Sequence, residues 1–377
     1  MDVSFLAPVF EAPGPYATVT ADVTHVTESA DTELELRVRA ISDRLTEQGA
    51  PEAVVEAVRS RLLEGNDGGE AGTIRGRAVV VASDGTVVFD SQLGDTPRQE
   101  LAEWSPHPDL LPVLVALPGR IPHVVVLADR TGADLTVASL PGHADQEETI
   151  KGDTYQIRKF QGGGWAHHRY QNNAENKWVQ NADDVAEHIA SVVRRLHPRF
   201  VLLAGDMRAR QILTDRASGL WSDLIVSMDE GGRAAGADRE PVERKAAELV
   251  AEHEARDEAD AVEKIASAGA HGLAVTGTAN VVEALRKAQV ETLLLADPGD
   301  DEKLFVGGSP LELGVDQGDM DALGVQEATS VPAGAALLAA AVASTAGVVV
   351  VPRAAMPGDI PVAAILRYTD DSTPSPQ

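Results

Sequence analysis

Apolar and polar positions alternate from Tyr16 to Val26, with Val19, Ala21 and Val23 on one side, which predicts a strand. Leu34, Val38, Ile41 and Leu45 then recur at helical spacing, and the stripe stops near Gly49. Pro51 is placed to open a second helix carrying Val54, Val55, Val58 and Leu62. A Gly/Asp-rich loop over 64–72 precedes two valine runs, and Ser83-Asp84-Gly85-Thr86 between them signals a hairpin within 77–90. The apolar run 111–117 is expected to be another strand, with Pro118-Gly119 marking a boundary.

The pattern changes after 122. Val124–Leu127 and Leu135–Val137 flank Asp129-Arg130-Thr131-Gly132, a strand–turn–strand signal. Val185, Ile189, Val192, Val193 and Leu196 form the apolar stripe of a helix. Phe200–Gly205 reads as a buried strand, Asp206 to Thr214 as a short helix capped by Asp206, and 224–226 as a further strand. Strands alternating with helices indicate an α/β layer fold. Gly231-Gly232 through Gly236-Ala237 reads as a hinge. A charge-rich helix follows from Arg239 to about Ala268, then a helix over 280–288 and a strand at 292–295. A helix–strand pair spans 333–351, and Pro361 to Tyr368 is a closing strand before a Ser/Thr/Pro tail expected to be disordered.

Between the strand pair and the long helix lies the stretch that sets the chain apart, Gln161-Gly162-Gly163-Gly164-Trp165-Ala166-His167-His168-Arg169-Tyr170-Gln171-Asn172-Asn173. Three successive glycines remove side chains from a tip that helix then supports. From Lys151 to Lys177 the cations Lys151, Arg158, Lys159, Arg169 and Lys177 outnumber Asp153 and Glu175, giving +3. The whole chain of 377 residues carries −27, so the remainder carries −30. An acidic body disfavours indiscriminate binding to DNA or membranes, and neither partner is expected; a basic tip on such a body points to a directed polyanion contact. Trp165 and Tyr170 are suited to stacking on bases.

Other chemistry is thin. There is no cysteine, hence no disulfide or thiol nucleophile, which fits a reducing compartment; the chain is read as cytoplasmic. No phosphate-loop or dinucleotide fingerprint is present. His167 and His168, adjacent on a helix, diverge by about 100° and would not chelate one ion together. No metal, no cofactor and no catalytic residue is expected.

Two parts of the chain carry a resemblance. Thr276 to Leu295, TGTANVVEALRKAQVETLLL, resembles the start of the third domain of archaeo-eukaryotic class-one release factors and pelota, and PVAAILRY at 361–368 resembles that domain's closing strand. Upstream, the strand pair, Gly-rich tip, long helix, VLLAGD strand and short helix follow the order of the second domain. GGWAHHRYQNNAEN is most similar to the second family of the bacterial archaeo-eukaryotic release factors, which includes relatives of the ribosome hibernation factor Balon. The resemblance implies three α/β domains: a divergent N-terminal domain (1–117), an RNase H-like central domain (118–236) and a pelota-like C-terminal domain (237–377). It implies occupation of the ribosomal A site, the tip reaching rRNA of the peptidyl-transferase centre, and partnership with elongation factor Tu. RNA-binding residues would be Lys151, Arg158, Lys159, Gly162, Gly163, Gly164, Trp165, His167, His168, Arg169, Tyr170, Gln171 and Lys177.

Trp165 follows Gly163-Gly164 where catalytic factors carry glutamine. An indole donates a single N–H and cannot orient water as an amide does. The expected function is therefore non-catalytic occupation of the ribosome in hibernation or stress protection. Its rivals are peptidyl-tRNA hydrolysis with Gln161 or Gln171 substituting, and an acidic interaction protein that uses the fold without the ribosome.

Overall fold

A computed structural model describes residues 1–24, 30–64, 76–93, 96–98, 100–117, 121–138, 146–151, 165–233, 237–297, 302–356, 358, 360–370 and 373; side chains are described for all of these except 30, 31, 146, 151 and 165–180. Two compact units result: one joins residues 1–118 to 257–377, and the other is 119–256.

The N-terminal part begins with a short helix α1 (Ala7–Glu11) and strand β1 (Tyr16–Asp22). Helices α2 (Ala30–Glu47) and α3 (Glu52–Leu63) follow, then β2 (Gly76–Ala82), β3 (Val87–Leu93), β4 (Leu101–Ser105) and α4 (Leu111–Ala116). The four strands form an antiparallel sheet in the order β3-β2-β1-β4. Leu34, Val38, Ile41 and Leu45 of α2 and Val54, Val58 and Leu62 of α3 are buried against one face of it, as their spacing predicts. Gly49 ends α2 at φ 90°, and Pro51 stands one residue ahead of α3 as its N-cap. The Ser83–Thr86 hairpin is present, with Gly85 at φ 85°.

The run 111–117 is not a strand but α4. A short apolar run does not distinguish a buried helix from a strand by periodicity. Pro112, near the helix start where its fixed φ suits the first turn, tips the balance, and Val113, Leu114 and Leu117 are buried.

The second unit is built from β5 (His123–Asp129), β6 (Gly132–Ala138), β7 (Gln146–Lys151), α5 (Trp165–Leu196), β8 (Phe200–Gly205), α6 (Met207–Arg216), β9 (Ile225–Ser227) and the first half of α7 (Glu240–Ala270). Its sheet runs β7-β6-β5-β8-β9. β6 is antiparallel to both neighbours, whereas β5, β8 and β9 run parallel, the RNase H-like arrangement. One face packs on α5 and α6 through Val185, Ile189, Val192, Val193 and Leu213. The other packs on α7 through Val242, Ala246 and Leu249.

The second half of α7 contributes Ala261 and Ile265 to the first unit. There the chain continues through β10 (Ala274–Thr276), α8 (Thr278–Arg286), β11 (Val290–Asp297), β12 (Lys303–Val306), β13 (Leu313–Gly314), α9 (Gln317–Ala322), β14 (Thr329–Pro332), α10 (Ala333–Ala343), β15 (Gly347–Pro352) and β16 (Val362–Leu366). The larger sheet has the order β10-β16-β11-β15, with β11 and β15 parallel and β16 antiparallel between β10 and β11. α10 is apolar all round and buried along almost its whole length, as such a helix must be. One core joins both parts of this unit: Leu6, Val9, Leu110 and Leu114 belong to the same cluster as Leu285, Leu293, Leu338 and Val348. At Gly334 of α10, a Cβ would lie 2.5 Å from Leu111 Cδ2 of α4, so the Leu111 side chain would have to shift to admit one. Among the described residues, no helix is long and apolar enough to cross a membrane.

Candidate nucleic-acid interface

Strand pairing fixes one edge of the central sheet. Ala128 of β5 pairs with Gly205 of β8, Asp129 with Gly132 of β6, and Gly132 with Lys151 of β7. The C-terminal ends of β5, β7 and β8 therefore lie together, and the glycine tip departs from this edge at Lys151. Open α/β sheets place ligands at such carboxyl ends. The chain returns to the sheet along α5, where the described packing starts at Asn181, itself buried, and Ala182. At the α-helical rise, about 24 Å of helix separates Trp165 from Asn181.

Local chemistry holds the edge rigid. Gly205 adopts φ 105°, and a Cβ there would fall 2.2 Å from the Ala128 carbonyl. This lets the chain turn sharply into Asp206, whose carboxylate accepts from the amides of Arg208 and Ala209 at 3.0 Å each. Asp206 is thus the helix cap its position after a buried strand suggests. Arg210, buried one turn on, donates to the Gly205 carbonyl (3.1 Å), Ser227 Oγ (2.7 Å) and Asp229 (2.7 Å), which ties this corner to the exit of β9.

The described part of the expected hinge, 231–233, is packed against its surroundings. Gly231, at φ 97°, sits so close to Val242 that a Cβ would meet its Cγ2 at 2.5 Å. Arg233, its side chain 11% exposed, bridges Asp129 (2.8 Å) and Asp134 (3.1 Å) across the β5–β6 turn. Residues 234–236 of that hinge lie outside the described residues. Burial opposes ionisation of Asp129, but the hydrogen bonds from Thr131 and the Arg233 guanidinium outweigh it and hold its carboxyl below the usual aspartate range. Asn181 Nδ2 reaches the Arg130 carbonyl at 3.4 Å, and Arg130 Nε lies 3.6 Å from Asp206. Between α5, α6 and the turn is a cleft of about 20 Å³, lined by Asp129, Arg130, Asn181 and Arg208, enough for one water.

Of the residues singled out from sequence, Arg158, Lys159, Gly162, Gly163 and Gly164 lie outside the described residues, as does Gln161. Lys151 ends β7 opposite Gly132. Trp165, His167, His168, Arg169, Tyr170, Gln171 and Lys177 take positions on α5, whose first residue is Trp165. No group of His, Asp or Glu side chains able to hold a metal occurs among the described residues. Sequence reasoning passed over Arg233 and Arg210. Arg233 sits in a Gly/Ala-rich loop whose one long cation was the available signal; Arg210 looks like any helical arginine until its partners are known.

An RNase H-like sheet whose third strand leads through a Gly-rich, basic stretch into a long helix defines the class. Residues 122–271 match the model of bacterial archaeo-eukaryotic release factor family 2. The match opens one residue before β5 and closes just after α7. The uncharacterized proteins Rv2629 and MT2704 of two Mycobacterium tuberculosis strains are each 27% identical over 295 residues, 77% of this chain and 76% of theirs. Among solved structures, the chain is similar to an archaeal translation termination factor, aRF1 (15% identity, 96% of each chain, TM-score 0.28). It is also similar to Archaeoglobus fulgidus Pelota (18%, 79% and 80% coverage, TM-score 0.34) and to Dom34 of S. cerevisiae (10%, 80% and 81%, TM-score 0.40). These whole-chain superpositions are loose, and the relation rests on the family match.

Proposed function

We propose that the protein is a cytoplasmic, ribosome-associated translation factor that occupies the A site and directs its glycine tip at the peptidyl-transferase region without hydrolysing peptidyl-tRNA, in hibernation or stress protection. One observation carries the reading: Gln161–Asn173, with Trp165 directly after Gly163-Gly164, lies inside the segment matched by the release-factor family. Three glycines allow a narrow backbone to enter an RNA cavity. The indole that follows stacks on a base, worth about 1–3 kcal/mol. It neither takes a proton nor fixes a water, and positioned proton transfer is what general-base hydrolysis needs. Elongation factor Tu is the delivery partner in this reading.

Co-sedimentation with ribosomes is the test. The protein pellets with ribosomes, and replacing Arg158, Lys159, Arg169 and Lys177 by Ala weakens pelleting and flattens its salt dependence. Absence of pelleting at low salt contradicts ribosome association, and an unchanged salt profile of the variant removes the tip from the contact.

A further inference from the structure

The edge from which the tip departs carries a second feature that the tip does not explain. Met207 opens α6 with 73% of its surface exposed, the most exposed of the large apolar residues described. Arg208 follows it, also exposed, and Arg130, its side chain 52% exposed, projects from the neighbouring β5–β6 turn. Both arginines line the same cleft.

Among the described residues, the carboxylates of Asp206, Asp129 and Asp229 are each engaged within the edge. Asp206 caps α6 and faces Arg130, Asp129 is bound by Thr131 and Arg233, and Asp229 takes Arg210. The ten-residue helix α6 also points its positive end this way.

We propose that Arg130, Met207 and Arg208 form a contact for RNA backbone on the folded sheet edge, distinct from the glycine tip. The inference rests on the ribosome-associated reading and adds a rigid anchor to it. Guanidinium forks match phosphate oxygens in pairs, and arginine stacks on a base where ammonium does not. An exposed methionine next to Arg208 packs on a sugar or base face without demanding a sequence. Asp206 caps the start of α6 and lies 3.6 Å from Arg130, and Arg210 ties down the Gly205 carbonyl beside it, so the footing of α6 is fixed by the fold. The tip would then be aimed by a footing at its base.

The experiment compares the full-length protein with R130A/R208A, M207A and the tip variant R158A/K159A, each first checked for an unchanged thermal transition. Pelleting with ribosomes is followed across a salt titration. R130A/R208A is expected to bind at least tenfold more weakly, with a log–log salt slope shallower by about 1.5, the loss of two phosphate contacts. M207A is expected to weaken binding severalfold with its slope unchanged. If R130A/R208A binds like wild type while R158A/K159A does not, the edge contact is overturned and the ribosomal reading stands. If wild type does not bind ribosomes, that reading falls, and the edge is judged on protein-free ribosomal RNA. Retention there that R130A/R208A abolishes supports the contact; no retention of wild type overturns it.

Discussion

Gly205 and Gly49 both adopt positive φ, yet their surroundings differ completely. An added Cβ at Gly205 runs into the Ala128 carbonyl, whereas nothing lies within 4 Å of one at Gly49. Gly49→Ala is expected to lower unfolding free energy by about 1–2 kcal/mol, the backbone cost alone. Gly205→Ala adds a main-chain clash and should cost about 3 kcal/mol or more. Denaturant titration of both variants checks this, and equal losses would refute the close approach at the sheet edge. Asp109 supplies a pH-dependent counterpart. Burial pushes its carboxyl up to about 6, and the charge of Glu103 adds to this against the Leu111 amide that donates to it. With the folded value raised, the stability from protonated Asp109 is full below about 4 and lost as pH rises through about 6. Asp109→Asn should therefore be more stable than wild type at pH 7.5, by at most about 3 kcal/mol, and the difference should vanish near pH 4. Denaturant titrations at both pH values decide it; a wild type more stable than the variant at pH 7.5 would reverse the sign.

At the scale of elements, the closing strand does more than fill the sheet. Arg367, just past β16, donates to Ala288 O (3.2 Å), Ser344 O (3.2 Å) and Thr345 O (2.7 Å), so one guanidinium serves the ends of both α8 and α10. Arg367→Ala should cost about 1–3 kcal/mol, because carbonyls at two helix ends lose a charged donor together. A thermal transition unchanged in the variant would show that water replaces it without loss. The elements legible in the sequence are those whose residues decide their own state: the α2 and α3 stripes, the Asp84-Gly85 hairpin, the apolar strands β5, β8 and β11. β4, β7, β12, β13 and β14 were not read, since short or polar edge strands are strands by virtue of their partners. β4 shows why. Its outer edge is met by the side chain of Gln48, which donates to Ala102 O and accepts from Trp104 N, a contact no local pattern contains. The site divides the same way. Its glycine tip is contiguous and could be read, but Arg130 and Arg208 become neighbours only through the pairing of Ala128 with Gly205.

At the scale of the whole molecule, the core shared by the two parts of the first unit bears on the three-part division drawn from the sequence. A fragment of residues 1–117 would expose Leu6, Val9, Leu110 and Leu114, which belong to the same core as α8, α10 and the β11–β15 sheet. Expressed alone, it should aggregate or unfold at low temperature, and 237–377 likewise; mixed, the two should recover a cooperative transition. Independent cooperative unfolding of either fragment would establish separate domains. The proposed function turns on a smaller feature, a sequence tip with three glycines followed by Trp165 rather than glutamine. The most direct measurement uses stalled ribosomes carrying labelled nascent chains and the purified full-length protein. No peptide release above the no-factor rate is expected, together with competitive inhibition of an authentic release factor. Release well above that rate, lost on changing Gln171 or His167, would contradict it and make the protein a hydrolase.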